Sequence, residues 1–168
     1  PGKVFPHGEH LYVADSSNHR ILQLNRKTGA VNKEFRGANP PLKGPQGMAW
    51  HGGSLYIADT ENHLLRRLNV ETGKMETVAG TGKQARPLPD AGPGLDTPIN
   101  SPWALETDGD DIYVAMAGSH QLWTFETKTG KLKHLAGSGW ENILDGPAAT
   151  ARLAQPSGLA LLGRKLYF

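Results

Sequence analysis

The chain contains no cysteine, which removes disulfides, thiolate metal sites and cysteine nucleophiles from the chemistry open to it. No apolar run approaches the ~20 residues that a membrane-spanning helix needs, and residues 1–6 lack the basic-then-apolar order of a secretory leader. Charge of one sign is scarce as well: eighteen Lys and Arg against sixteen Asp and Glu leave +2, too little to favour nucleic acid or an anionic membrane. These absences point to a soluble chain with no membrane partner and the cytoplasm as its default compartment. A chain that opens at Pro1 and stops at Phe168 inside an apolar strand pattern is expected to be a segment of a longer protein.

Glycine and proline, by contrast, are plentiful: 21 and 12 of 168 residues, spaced between short apolar runs as punctuation and not gathered into a low-complexity tract. That spacing is periodic. LYVADSSNHRILQLNRKTGAV (11–31) realigns without a gap on LYIADTENHLLRRLNVETGKM (55–75), and a third copy, IYVAMAGSHQLWTFETKTGKL, occupies 112–132. A fourth start, QPSGLALLGRKLYF (155–168), matches GPQGMAWHGGSLYI (44–57) and stops after two predicted strands. The repeats therefore run approximately over 1–37, 44–80, 101–137 and 155–168, with insertions at 81–100 and 138–155 between them.

Each unit reads as four short strands in runs of four to six residues rich in Leu, Val, Ile, Tyr and Thr, too short for a helical solenoid. Thr28-Gly29, Thr72-Gly73 and Thr129-Gly130 recur where a hairpin needs one residue at positive φ. His51-Gly52-Gly53 and Asp108-Gly109-Asp110 fall where the first two strands of a unit turn. The expected fold is all-β: four-stranded antiparallel blades of a β-propeller, about three blades and two strands of a fourth, half of a six-bladed ring.

The segments Ala14-Asp15-Ser16-Ser17-Asn18-His19 and Ala58-Asp59-Thr60-Glu61-Asn62-His63 resemble the signature of NHL repeats, and the likeness extends over essentially the whole chain. The resemblance implies a protein-interaction propeller in a larger protein with a thioredoxin-like domain. It also implies that something completes the ring, since the open blade faces would expose apolar side chains. The remaining blades of the same natural chain, or a second copy, would serve.

The most tempting polar constellation is the signature itself: Asp15, Asn18, His19, Asp59, Asn62, His63 and His120. Because it recurs with the fold, the expected role is structural, with the Asp side chain accepting backbone N–H bonds in its turn and the His hydrogen-bonded beside it. The third repeat departs, having Met116 for Asp and Ser119 for Asn, so that blade is expected to present a different surface. The seven histidines show no His-x-x-x-His pair with a neighbouring Glu, so no metal, cofactor or catalytic residue is expected, and a metal-dependent hydrolase or lyase is the last-ranked reading. Asp108, Asp110 and Asp111 lack the rest of a calcium loop and read as a polar turn.

Recognition is expected in the insertions, since loops on a rigid scaffold usually carry it. Lys83, Arg86 and Trp140 are the candidate partner-binding residues; Trp103 and Trp123 are expected to fill the space between sheets. Single-stranded RNA is the runner-up partner, weakened because Arg26, Lys27, Arg66, Arg67, Lys128 and Lys133 are mixed with acids. The function expected is a non-catalytic scaffold for a protein or peptide.

Overall fold

The computed structural model describes residues 1–84 and 91–168. Its first blade is the sheet β1 (Val4–His7), β2 (His10–Asp15), β3 (Arg20–Asn25) and β4 (Val31–Phe35), paired in that order. The second is β5 (Pro45–His51), β6 (Ser54–Asp59), β7 (Leu64–Leu68) and β8 (Met75–Ala79). After a short strand β9 (Ala91–Pro93), the third blade runs β10 (Pro102–Asp108), β11 (Asp111–Met116), β12 (Gln121–Glu126) and β13 (Lys131–Ala136). The strands β14 (Ala160–Leu162) and β15 (Lys165–Tyr167) begin a fourth. Within each blade the four strands pair as an antiparallel meander, as the hairpin signals require.

The outer hairpins show how the sequence sets the turn. Asn25 Oδ1 accepts the N–H groups of Lys27 and Thr28, and Gly29 closes the loop at φ 72°. Asn69 does the same for Glu71 and Thr72, with Gly73 at φ 74°. An Asx turn followed by a left-handed glycine is cheap for these residue types and for few others.

The core lies between blades and not within them. Tyr12, Ala14 and Ile21 of the first blade pack against Met48, Leu55, Ile57 and Leu68 of the second. Tyr56, Ala58 and Leu65 of the second meet Leu105, Val114, Met116, Trp123 and Phe125 of the third. Ala104, Ala115 and Leu122 then receive Leu159 and Leu166 of the fourth. Each fully buried aliphatic side chain contributes roughly 1.5–3 kcal/mol, so every joint is a hydrophobic seam between two alternating strand faces. The seam stops at the first blade: Leu11, Val13, Leu22 and Leu24 are only partly covered, while Leu55, Ile57, Arg66 and Leu68, one blade on, are buried.

The insertion at 81–100 is not simply a long solvated crossing. Its β9 segment adds a fifth strand outside β13, with Leu132 opposite Gly92. Gly94 then takes the N–H of Gly80 on its carbonyl and donates its own to Gly130, and Ile99 ends in the core with no exposed surface. A Cβ on Gly94 would stand 2.6 Å from the Val78 oxygen and 2.8 Å from the Gly130 oxygen, so this contact admits only glycine.

Candidate functional site

Each signature motif folds as a single 3₁₀ turn, over Ser16–Asn18, Thr60–Asn62 and Ala117–Ser119, closed by His19, His63 and His120 in the left-handed region at φ 55°, 54° and 54°. The imidazoles do not serve their own turns. Nδ1 of His19, His63 and His120 accepts the backbone N–H of Gly44, Ser101 and Gln155, at 3.0, 3.1 and 3.2 Å. Every donor precedes a proline at the start of the next blade and itself has positive φ. The histidine is thus a latch between consecutive blades, and it requires an unprotonated Nδ1. Burial, followed by the Lys43 charge, holds His63 below its ordinary value of 6.5.

A second latch sits beside it. Ser16 Oγ donates to the Pro45 carbonyl at 2.6 Å and Thr60 Oγ1 to the Pro102 carbonyl at 2.7 Å. Ala117 occupies the same place in the third blade and has no hydroxyl to offer.

The aspartates bind side chains more than backbone, which corrects the expected turn geometry. Asp15 accepts from the Asn18 amide and from Arg20 Nε at 2.7 Å, and Arg20 followed by Asn18 holds its carboxyl below the usual range. Asp59 accepts from Asn62, from Arg66 and from one backbone donor, the N–H of Lys43 in the preceding crossing. Burial pushes the Asp59 carboxyl up, against the pull of those three donors. Arg66, one of the cations that the sequence mixes with acids, is 1% exposed and also reaches the carbonyls of Pro40 and Ala38. In the third blade Met116 and Ser119 lie inside, 0% and 4% exposed, so the altered signature changes the interior and not the surface.

Lys83 and Trp140 occupy the same place in the two insertions, three residues after Gly80 and Gly137. Gly137 bonds the Ala148 carbonyl as Gly80 bonds that of Gly94, and both insertions are pinned next door, Gln84 to Asn100 and Glu141 to Gln155. Lys83 is exposed, and Arg86 lies outside the described residues. Trp140 is 73% exposed, with Ile143 and Leu144 nearby in the chain also open to solvent, on a segment closed by the Leu144–Arg152 bridge.

Trp123 is fully buried, as expected, but Trp103 is 38% exposed and does not fill the gap between sheets. The first strands of the second and third blades, and the residues leading into those of the first and fourth, meet at a cavity of about 220 Å³ that Trp103 lines together with Lys3, Gln46 and Ser157. The approach is close: a Cβ on Gly47 would lie 2.6 Å from the Trp103 oxygen. The repeat hid this site, because each blade contributes a different side chain to it. Among the described residues no three of His, Asp and Glu come together as a metal-binding group, and no helix is long and apolar enough to cross a membrane.

No family model matches the chain. NHL repeat-containing protein 2 of Homo sapiens is 36% identical over 96% of this chain, which spans about a quarter, 26%, of that protein. A Bacteroides thetaiotaomicron protein of unknown function superposes with a TM-score of 0.72 at 21% identity, over 90% of this chain and 39% of its own. An auxiliary nutrient binding protein from Bacteroides ovatus gives 0.70 at 22% identity, over 92% and 41%. At such identities the structural likeness speaks for the fold alone. Taken with the repeated signature and the four-stranded blades, these likenesses make the chain a segment of an NHL-repeat β-propeller.

Proposed function

We propose that the chain is a non-catalytic protein-interaction scaffold that presents its inter-blade insertions to a protein or peptide partner. The observation that carries this reading is Trp140, 73% exposed on a segment whose backbone is already fixed by Gly137–Ala148 and Leu144–Arg152 bonds. A large aromatic held out on ordered backbone loses little entropy on binding and suits the centre of an interface. The signature histidines support a non-catalytic reading, since their Nδ1 atoms are engaged in holding blades together.

The reading extends to a longer protein. A further blade covers Leu11, Val13, Leu22 and Leu24, which sit at positions that are buried in the second and third blades. Further blades of the same natural chain, in a protein that also carries a thioredoxin-like domain, supply it; a second copy is the alternative occupant. Light scattering across concentrations separates the two, a closed dimer favouring self-completion.

The test of the scaffold is quantitative capture of partners by the wild-type chain and by Trp140→Ser, a substitution expected to change stability by no more than about 0.5 kcal/mol. The expected result is a discrete partner lost with the indole. Identical capture by both proteins, or turnover of an ester or lactone abolished by His→Ala changes, overturns the reading.

A further inference from the structure

We infer that the cavity at the starts of the blades is a binding site for a carboxylate carried next to a flat apolar group. The site does not depend on the insertions or on their partner. Each of the four blades described supplies one side chain to it: Lys3, Gln46, Trp103 and Ser157 line the same space of about 220 Å³. That volume suits a single small group, such as a ring with a carboxylate, and not a folded surface.

The chemistry follows from what the lining offers. Lys3, which lines the cavity, donates from Nζ to the Leu105 carbonyl, 3.3 Å away and two blades across, and the same ammonium lies 5.9 Å from the centre of the Phe5 ring. An ammonium has three donors and this bond uses one. None of the ion pairs among the described residues includes Lys3. Among the described residues no Asp or Glu lines the cavity. A half-buried cation without a counter-ion favours an anion, and the amide of Gln46 and hydroxyl of Ser157 add donors for its oxygens. Trp103, 38% exposed, provides the apolar surface against which a ring or an aliphatic chain packs. Two of the lining residues on the other strand face are Gly47 and Ala104, and their small size lets the strands come close enough for these four side chains to share one ligand.

Such a carboxylate has two sources, a free small acid or the C-terminus of a peptide, and the test separates them. The full-length protein, with its ring closed, is titrated with N-acetylphenylalanine, with its neutral amide, and with a hexapeptide ending in phenylalanine. The readout is the Trp103 indole N–H resonance, assigned by its loss in Trp103→Phe. The proposal expects saturable binding of the acid, roughly tenfold or more weaker binding of the amide, and a similar loss in Lys3→Met with recovery in Lys3→Arg. Tighter binding of the hexapeptide assigns the site to a chain terminus; binding of the free acid alone assigns it to a small acid. Should Lys3→Met disturb the fold, the wild-type affinity must still fall with added salt as for a single ion pair. Equal binding of acid and amide, or no saturation up to about 10 mM, overturns the proposal.

Discussion

Asp59 and Arg66 lie 3.3 Å apart with both side chains withdrawn from solvent, and one blade on the same two positions hold Met116 and Trp123 in an apolar core. These two blades therefore hold a buried ion pair or an apolar pair at this point, whereas the first blade sets Asp15 beside Leu22 and gives the carboxylate Arg20 as its partner. Asp59→Ala strands the Arg66 charge and is expected to cost about 3–5 kcal/mol. The double variant Asp59→Met/Arg66→Leu, which borrows Met116 and Leu22 from the neighbouring blades, is expected to recover most of that loss. Urea unfolding of Asp59→Met, Arg66→Leu and the double variant closes the cycle, and additive losses would refute the coupling.

His63 gives the latch a pH dependence with a definite sign. Its folded-state value is lowered below 6.5, so in the interval below 6.5 the unfolded chain takes up the proton that the folded chain refuses. Stability from this residue is full above that value and declines as the pH falls through the interval to the folded value. Unfolding midpoints at about pH 7.5 and about pH 5.5 should differ more in the wild type than in His63→Asn, which tolerates the left-handed backbone but does not titrate. Equal shifts in both proteins would show that His63 is not the titrating latch.

The hydroxyl latch predicts an asymmetry between joints. Thr60→Val should loosen the second joint by about 1 kcal/mol through loss of the bond to the Pro102 carbonyl. Ala117→Ser supplies to the third joint the hydroxyl that Ser16 gives the first, and slower hydrogen exchange over residues 156–168 is the expected outcome.

Gly94→Ala forces a Cβ to within 3 Å of two backbone oxygens, those of Val78 and Gly130. The substitution should lift β9 away from β13 while leaving the four-stranded blade intact, so limited proteolysis should cut at residues 91–93 in the variant only. Unchanged cleavage would mean that the fifth strand is held by something other than this contact.

How much of this was legible in the sequence depends on how far apart the partners are. The blades could be read because strand alternation, the Thr-Gly hairpins and the Tyr at each second strand are local and recur. β9 could not, since Ala91-Gly92-Pro93 has no strand propensity and is made a strand by the edge of β13, some forty residues later. The signature residues were visible as a set, yet their function was not: His19 bonds Gly44 and His63 bonds Ser101 across a joint, 25 and 38 residues away. Trp103 was misjudged for a related reason, because alternation identifies which strand it occupies but not that the starts of the blades face a shared cavity. The pairing of Asp59 with Arg66 left a trace in the substitution of both positions in the third blade, which only an aligned reading of the blades brings out.

The order of β9 and β13 along the chain has a consequence for synthesis. The strip that seals the outer edge of the third blade precedes that edge by about forty residues, so on a ribosome making ~5–20 residues each second it emerges seconds earlier. When β13 leaves the exit tunnel its cover is already waiting, pinned to the second blade through Gly80. The first half of that edge, Lys131–Lys133, thus has a partner made before it, an advantage that depends on vectorial production and that a chain refolding from denaturant would not share.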